Sequence, residues 1–189
     1  MDEAEIAEYI RSGNIARDSL NPAQLVRVAK AMSDSIRGGG KVICMGNGGS
    51  AADSQHFVAE LVGRFEAEGR ALPAIALTTN TSVLTALAND YSYDMIFSRQ
   101  VEALAKPGDV VVGISTSGNS KNVVEALGAA KRIGCRTVSL TGKRGRIPEM
   151  TDEGMNIGVD SPRTSVIQEA HICAIHLISK LIEDELRKG

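Results

Sequence analysis

His56 and Glu60 stand four residues apart in "GNGGSAADSQHFVAELVGRF" (46–65), a spacing that puts an imidazole and a carboxylate on one face of a helix. The chain has three histidines, and the other two, His171 and His176, fall in "IQEAHICAIH" (167–176) beside Gln168 and Glu169. Such a pair can move protons near neutral pH or share a metal ion. The same spacing also serves a solvated polar stripe or a helix-stabilising pair, and a histidine on an apolar helix is commonly a hydrogen-bonded core residue.

Two loops offer a place for a ligand. "KVICM" (41–45) runs into "GNGGS", and "DVVVGI" (109–114) runs into "STSGNS" (115–120). Each leads from an apolar run into a helix, whose free N–H groups suit an anion or a sugar hydroxyl. Ser115, Thr116, Ser117 and Ser120 add hydroxyls and make the second loop a neutral phosphate cradle. Gly46, Gly48 and Ala51 also match G-x-G-x-x-A, but "PAIAL" (73–77) is followed by Thr78, Thr79 and Asn80, with no carboxylate for a ribose. No Walker A run is present. The two loops together point to a phosphorylated small molecule and to no nucleotide cofactor.

These groups need a frame to hold them. The continuous apolar runs 41–45, 73–77, 109–114, "RTVSL" (136–140) and "MNIGV" (155–159) read as strands covered on both faces, as in a parallel sheet. Helical segments alternate with them: 50–66, a shorter pair within 81–105, and 122–134, closed by Gly134. The expected fold is a doubly wound α/β domain with a five-stranded parallel sheet flanked by helices. Helices over 2–12 and 22–36 precede it, the second opened by Asn21 and Pro22. We divide the chain into N-terminal helices (1–37) and an α/β domain (38–189) that form one compact unit. The last helix, 164–188, is apolar on nearly every face from Val166 to Ile182 and is expected, with the N-terminal helices, to pack in an oligomer interface.

Composition excludes other classes. Lys and Arg number 21 against 23 Asp and Glu, without a basic run, and the aromatics are three Tyr and three Phe, so nucleic acid is not the expected partner. Cys44, Cys135 and Cys173 have no paired spacing, which fits a reducing cytoplasm. The N-terminal residues are acidic and no apolar run reaches membrane-spanning length.

"GNGGSAADSQHF", Asn89–Asp90, "FSRQVEAL" (97–104), "GDVVVGISTSGNSKNV" (108–123), "SLTGKRG" (139–145) and "IQEAHICAIH" together resemble the sugar isomerase (SIS) domain family, and within it the phosphoheptose isomerases. The resemblance runs from about Lys41 to the C-terminus; the first forty residues match only as helices. It implies a flavodoxin-like strand order, a homotetramer, and interconversion of sedoheptulose 7-phosphate with D-glycero-D-manno-heptose 7-phosphate through an enediol. It further implies that Ser115, Thr116, Ser117 and Ser120 hold the phosphate, while Asn47, Gly48, Gly49, Glu60, Asn89, Asp90 and Gln168 contact the sugar. Glu60 and His176 match the family's acid-base pair, and His56, Glu60, Gln168 and His176 its zinc ligands. Gln is a weak zinc ligand beside His or carboxylate.

Residues 168 and 176 lie about 12 Å apart along a helix axis. They meet one ion only by leaning together or by coming from different subunits, so active sites shared between protomers are expected. Some relatives are non-catalytic, binding the replication initiator protein or sensing sugar phosphates; a pure binder has no need for Glu60 with His176. Isomerisation of another phosphosugar stays open, since these residues recognise the phosphate and the reacting carbons rather than chain length.

Overall fold

Asp2 opens the first helix: its carboxylate accepts the Glu5 amide at 2.9 Å while the Glu5 side chain returns to the Asp2 amide. That helix, α1 (Glu3–Asp18), runs past the end expected at residue 12, straight through Gly13. Gly13 is buried against the last helix, where an added Cβ would stand 2.5 Å from the Glu169 carboxylate. A glycine chosen for close approach had the look of a stop. α2 (Pro22–Arg37) starts as expected, with Asn21 Oδ1 accepting the Ala23 and Gln24 amides and Pro22 in the first position.

The computed structural model describes residues 1–187; Lys188, with which the sequence closes the last expected helix, lies outside the described residues. Five parallel strands follow α2: β1 (Val42–Gly46), β2 (Ala74–Ala76), β3 (Val110–Ser115), β4 (Arg136–Gly142) and β5 (Asn156–Val159), in the order β2-β1-β3-β4-β5. This is the flavodoxin-like order, and its switch point lies between β1 and β3. α3 (Gly49–Val62), α4 (Thr81–Asp90), α5 (Ser98–Leu104), α6 (Lys121–Ile133) and α7 (Thr164–Arg187) complete the chain. α3 stops at Val62 rather than at the expected residue 66, because Gly63 leaves helical geometry there.

The strands are apolar throughout because both faces are covered. Val42, Cys44, Val112 and Leu140 pack with Met32 of α2, Phe57 of α3 and Ile175 of α7. Ile43, Met45 and Val111 pack on the other side with Phe97, Val101 of α5 and Leu127 of α6. α7 meets much of its burial demand inside the chain, against α1, α2, α3 and the sheet; within its apolar stretch, Leu177 stands out as an exposed large side chain. Much of the remaining exposed aliphatic surface belongs to α1, at Ile6, Ile10 and Ile15, with Val26 of α2. Among the described residues no helix is long and apolar enough to cross a membrane.

Candidate active site

The serine loop follows β3 at the carboxyl edge of the sheet. Ser115 Oγ lies 2.9 Å from Ser120 Oγ and 3.3 Å from Ser117 Oγ, so three hydroxyls converge where α6 begins. Ser120 caps α6 without a side-chain hydrogen bond; Asn122 Oδ1 takes the Val123 N–H, which leaves the first two helix amides to a ligand. The segment after β4 braces the loop: Gly142 N–H donates to the Thr116 carbonyl at 3.1 Å and Ile147 N–H to the Gly118 carbonyl at 2.9 Å. Gly118 has φ +66°, and a Cβ there would strike the Arg144 carbonyl. A crevice of about 440 Å³ opens beside this loop, lined by Thr116, Ser117, Lys143, Asp160 and Thr164.

The loop after β1 is tied to the first turn of α6. Asn47 and Asn122 exchange two amide hydrogen bonds, each 2.9 Å, and the Tyr93 hydroxyl donates to Asn47 Oδ1 at 3.0 Å. Gly48 and Gly49 are exposed, and the Gln168 amide of α7 lies directly against Gly49. Asn89 and Asp90 end α4, exposed and joined to each other by a 2.9 Å bond from Asn89 Nδ2 to Asp90 Oδ1.

α3 and α7 both leave the carboxyl edge and run side by side back along the sheet. His56 Nε2 lies 2.8 Å from His176 Nε2 and 3.3 Å from Glu60 Oε1, and the three donors lie within 4.8 Å of one another. Phe65 covers the His176 ring with centroids 5.7 Å apart. Glu60 also opens on a cavity of about 120 Å³ lined by Phe65, Ser179 and Glu183. Gln168 does not join this cluster within one chain: it stays with Gly49, about 12 Å up the α7 axis from His176. Nearby, burial pushes the Asp53 carboxyl up to about 6, with His56 opposing the rise.

His171 is a core residue. It is fully buried, bonded through Nε2 to the Thr141 carbonyl at 3.2 Å, and burial lowers its pKa to about 4. Its Nδ1 has no partner among the described residues. Sequence reasoning did not single out Asn122, Tyr93 or Asp53. The visible signals were slight: an asparagine just inside the helix after Ser120, and an aspartate three residues before His56.

A family model described as the SIS domain matches residues 11–142. The phosphoheptose isomerase of Geobacter sulfurreducens is 52% identical over 186 residues, covering 96% of this chain and 97% of its own. The chain belongs to the phosphoheptose isomerases of the SIS domain family. Among solved structures, this SIS domain chain is similar to the phosphoheptose isomerase of Neisseria gonorrhoeae, at TM-score 0.86 and 44% identity over 96% of both chains. It is also similar to that of Francisella tularensis, at TM-score 0.91 and 34% identity, over 97% of this chain and 100% of the other. In SIS domain terms the serine loop and the glycine turn flank the sheet's switch point, while the histidine and glutamate cluster lies farther down α3 and α7.

Proposed function

We propose that the protein is an aldose-ketose isomerase that converts sedoheptulose 7-phosphate to D-glycero-D-manno-heptose 7-phosphate through an enediol, the first step of nucleotide-activated heptose biosynthesis. The observation that carries this reading is the meeting of Glu60 with His56 and His176 in a chain 52% identical to a named phosphoheptose isomerase.

In this reading Ser115, Thr116, Ser117 and Ser120 hold the phosphate by neutral hydrogen bonds and the α6 N-terminus. Asn47, Gly48, Gly49, Asn89, Asp90 and Gln168 line the sugar. Glu60 takes a proton from C1 of the ketose as His176 gives one to the C2 oxygen. The resulting enediol collapses when C2 is reprotonated by Glu60 and the C1 hydroxyl gives up its proton to His176. Protons balance over the cycle, and both groups return to their starting states.

The donor set fits a cation. Two imidazole nitrogens 2.8 Å apart leave at most one N–H between them, and a carboxylate oxygen joins from 3.3 Å. His56, Glu60 and His176 would hold zinc, with Gln168 as the fourth ligand implied by the family; bound there, zinc would polarise the carbonyl oxygen. The exposed aliphatic residues of α1 and α2 support a homo-oligomer, in this reading a tetramer with active sites at subunit interfaces. Three free cysteines and the absence of a spanning helix among the described residues are consistent with a cytoplasmic enzyme.

The test is an isomerase assay on a panel of five-, six- and seven-carbon phosphosugars, with and without chelator and added zinc. Turnover highest on sedoheptulose 7-phosphate is the expected result. A Glu60→Gln variant should lose turnover by about 10²–10⁴-fold, the usual worth of a general base, while still binding substrate. Full activity in that variant refutes the role given to Glu60.

A further inference from the structure

The Asn47–Asn122 pair fixes which way the Asn47 amide faces, and that decides what Asn47 can offer a ligand. Asn122 lies in the first turn of α6 and is 2% exposed. Its Oδ1 accepts the Val123 backbone N–H at 3.0 Å as well as Asn47 Nδ2 at 2.9 Å. A backbone N–H is always a donor, so the oxygen of the Asn122 amide must be the atom beside it. Its Nδ2 then faces Asn47 Oδ1, at 2.9 Å, and forces that oxygen to accept. The Tyr93 hydroxyl fills the second lone pair of the same oxygen from 3.0 Å. One Asn47 N–H is already given to Asn122. Of the four hydrogen bonds an asparagine amide can make, three are taken among the described residues, and what remains is a single donor.

We infer that Asn122, assisted by Tyr93, is a positioning residue that makes Asn47 a donor-only contact for an oxygen of the sugar. The inference rests on the isomerase reading above. Asn122 itself touches no substrate. Without it the Asn47 amide turns freely, and half of its orientations present an oxygen that repels a carbonyl or hydroxyl oxygen. With it, the donor is set before substrate arrives, and no ordering is needed on binding.

The kinetics separate this role from two others. A contact made equally with substrate and transition state alters KM and leaves kcat alone. Asn122→Asp keeps an acceptor for Val123 N–H but sets a second oxygen against Asn47 Oδ1; a flip only moves that clash to the other carboxylate oxygen, so the Asn47 amide loses its fixed orientation. For this variant KM for sedoheptulose 7-phosphate should rise about tenfold, the worth of one hydrogen bond, with kcat within about threefold. Tyr93→Phe, at a residue 57% exposed and outside the core, frees one lone pair and should raise KM by a smaller factor, about two- to fivefold. Inorganic phosphate, used as a competitive inhibitor, reports on the serine loop alone, and its inhibition constant should stay within about twofold in both variants. If phosphate inhibition weakens in step with KM, Asn122 acts through the serine loop and the inference is overturned. A fall in kcat at unchanged KM, or unchanged kinetics in both variants, overturns it too. Wild-type protein inactive on sedoheptulose 7-phosphate would instead refute the isomerase reading; that outcome is read first, on the same plate.

Discussion

His171 makes the stability of this protein depend on pH in a way that one substitution can isolate. Its imidazole is fully buried and its pKa falls from the ordinary 6.5 to about 4. Between those values the unfolded chain binds a proton that the folded chain does not, so stability increases with pH through this window and is lost as pH falls from 6.5 toward 4. Integrating the two titrations from pH 7 to pH 4.5 gives a loss of about 2.5 kcal/mol from this residue alone. Asp53, raised from 3.8 to about 6, works in the opposite sense over its own window, so the wild-type slope by itself is a sum. His171→Gln removes the titration while its amide N–H can still reach the Thr141 carbonyl that Nε2 now bonds. The measurement is urea unfolding of both proteins at pH 7 and pH 4.5, at one protein concentration because assembly adds to apparent stability. The wild type should lose about 2.5 kcal/mol more than the variant between the two pH values. Parallel losses in the two proteins would mean that His171 does not titrate as burial requires, and the argument from burial fails.

The serine loop depends on Gly118, whose φ of +66° and contact with the Arg144 carbonyl leave no room for a Cβ. Gly118→Ala should destabilise the fold by about 1–3 kcal/mol and weaken competitive inhibition by inorganic phosphate, measured by thermal unfolding and steady-state kinetics. If His56, Glu60 and His176 hold zinc, Glu60→Gln should lower zinc affinity by about tenfold or more in a competition titration against a colorimetric chelator, independently of turnover. Ile10→Glu, on the exposed face of α1, should shift the protein to smaller species on analytical ultracentrifugation if that face lies between subunits. Co-expressed Glu60→Gln and Gly118→Ala chains should show more activity than the two homo-oligomers together if sites are shared; no gain in verified mixed oligomers counts against a shared site.

The sheet was legible because both of its faces are buried: Val110, Val111 and Val112 are all inside, and a run of β-branched residues closed by a glycine has few other readings. Boundaries failed where a glycine played two parts. Gly13 sits inside a helix to let α7 approach, whereas Gly63 ends one, and local sequence does not separate the two uses. The hydroxyl-rich loop was visible because its chemistry is contiguous in the chain. The meeting of His56 with His176 was implied only by the family resemblance, since it joins residues 120 apart and depends on α3 and α7 lying side by side. Of two histidines on one apolar helix, His171 turned inward and His176 toward α3, a difference set by the helix's rotation against the sheet. Asn122 escaped notice because an asparagine at a helix start usually signals only a cap, and its partner lies on a loop 75 residues earlier.

The direction of α3 separates the functional residues of one chain into two levels. Gly46 pairs with Ile114, so the glycine turn and the serine loop sit at the same level of the sheet. From Gly49, α3 runs away from that edge, and Glu60, eleven residues on, lies about 16 Å down its axis. Gln168 obeys the same geometry: it stands with Gly49 at the upper level, while His176 stands with His56 below. If the sites are shared between copies, each joins the upper level of one copy to the lower level of another. Assembly is then a condition of turnover, and the exposed aliphatic faces of α1 and α2 bear on catalysis as well as on stability.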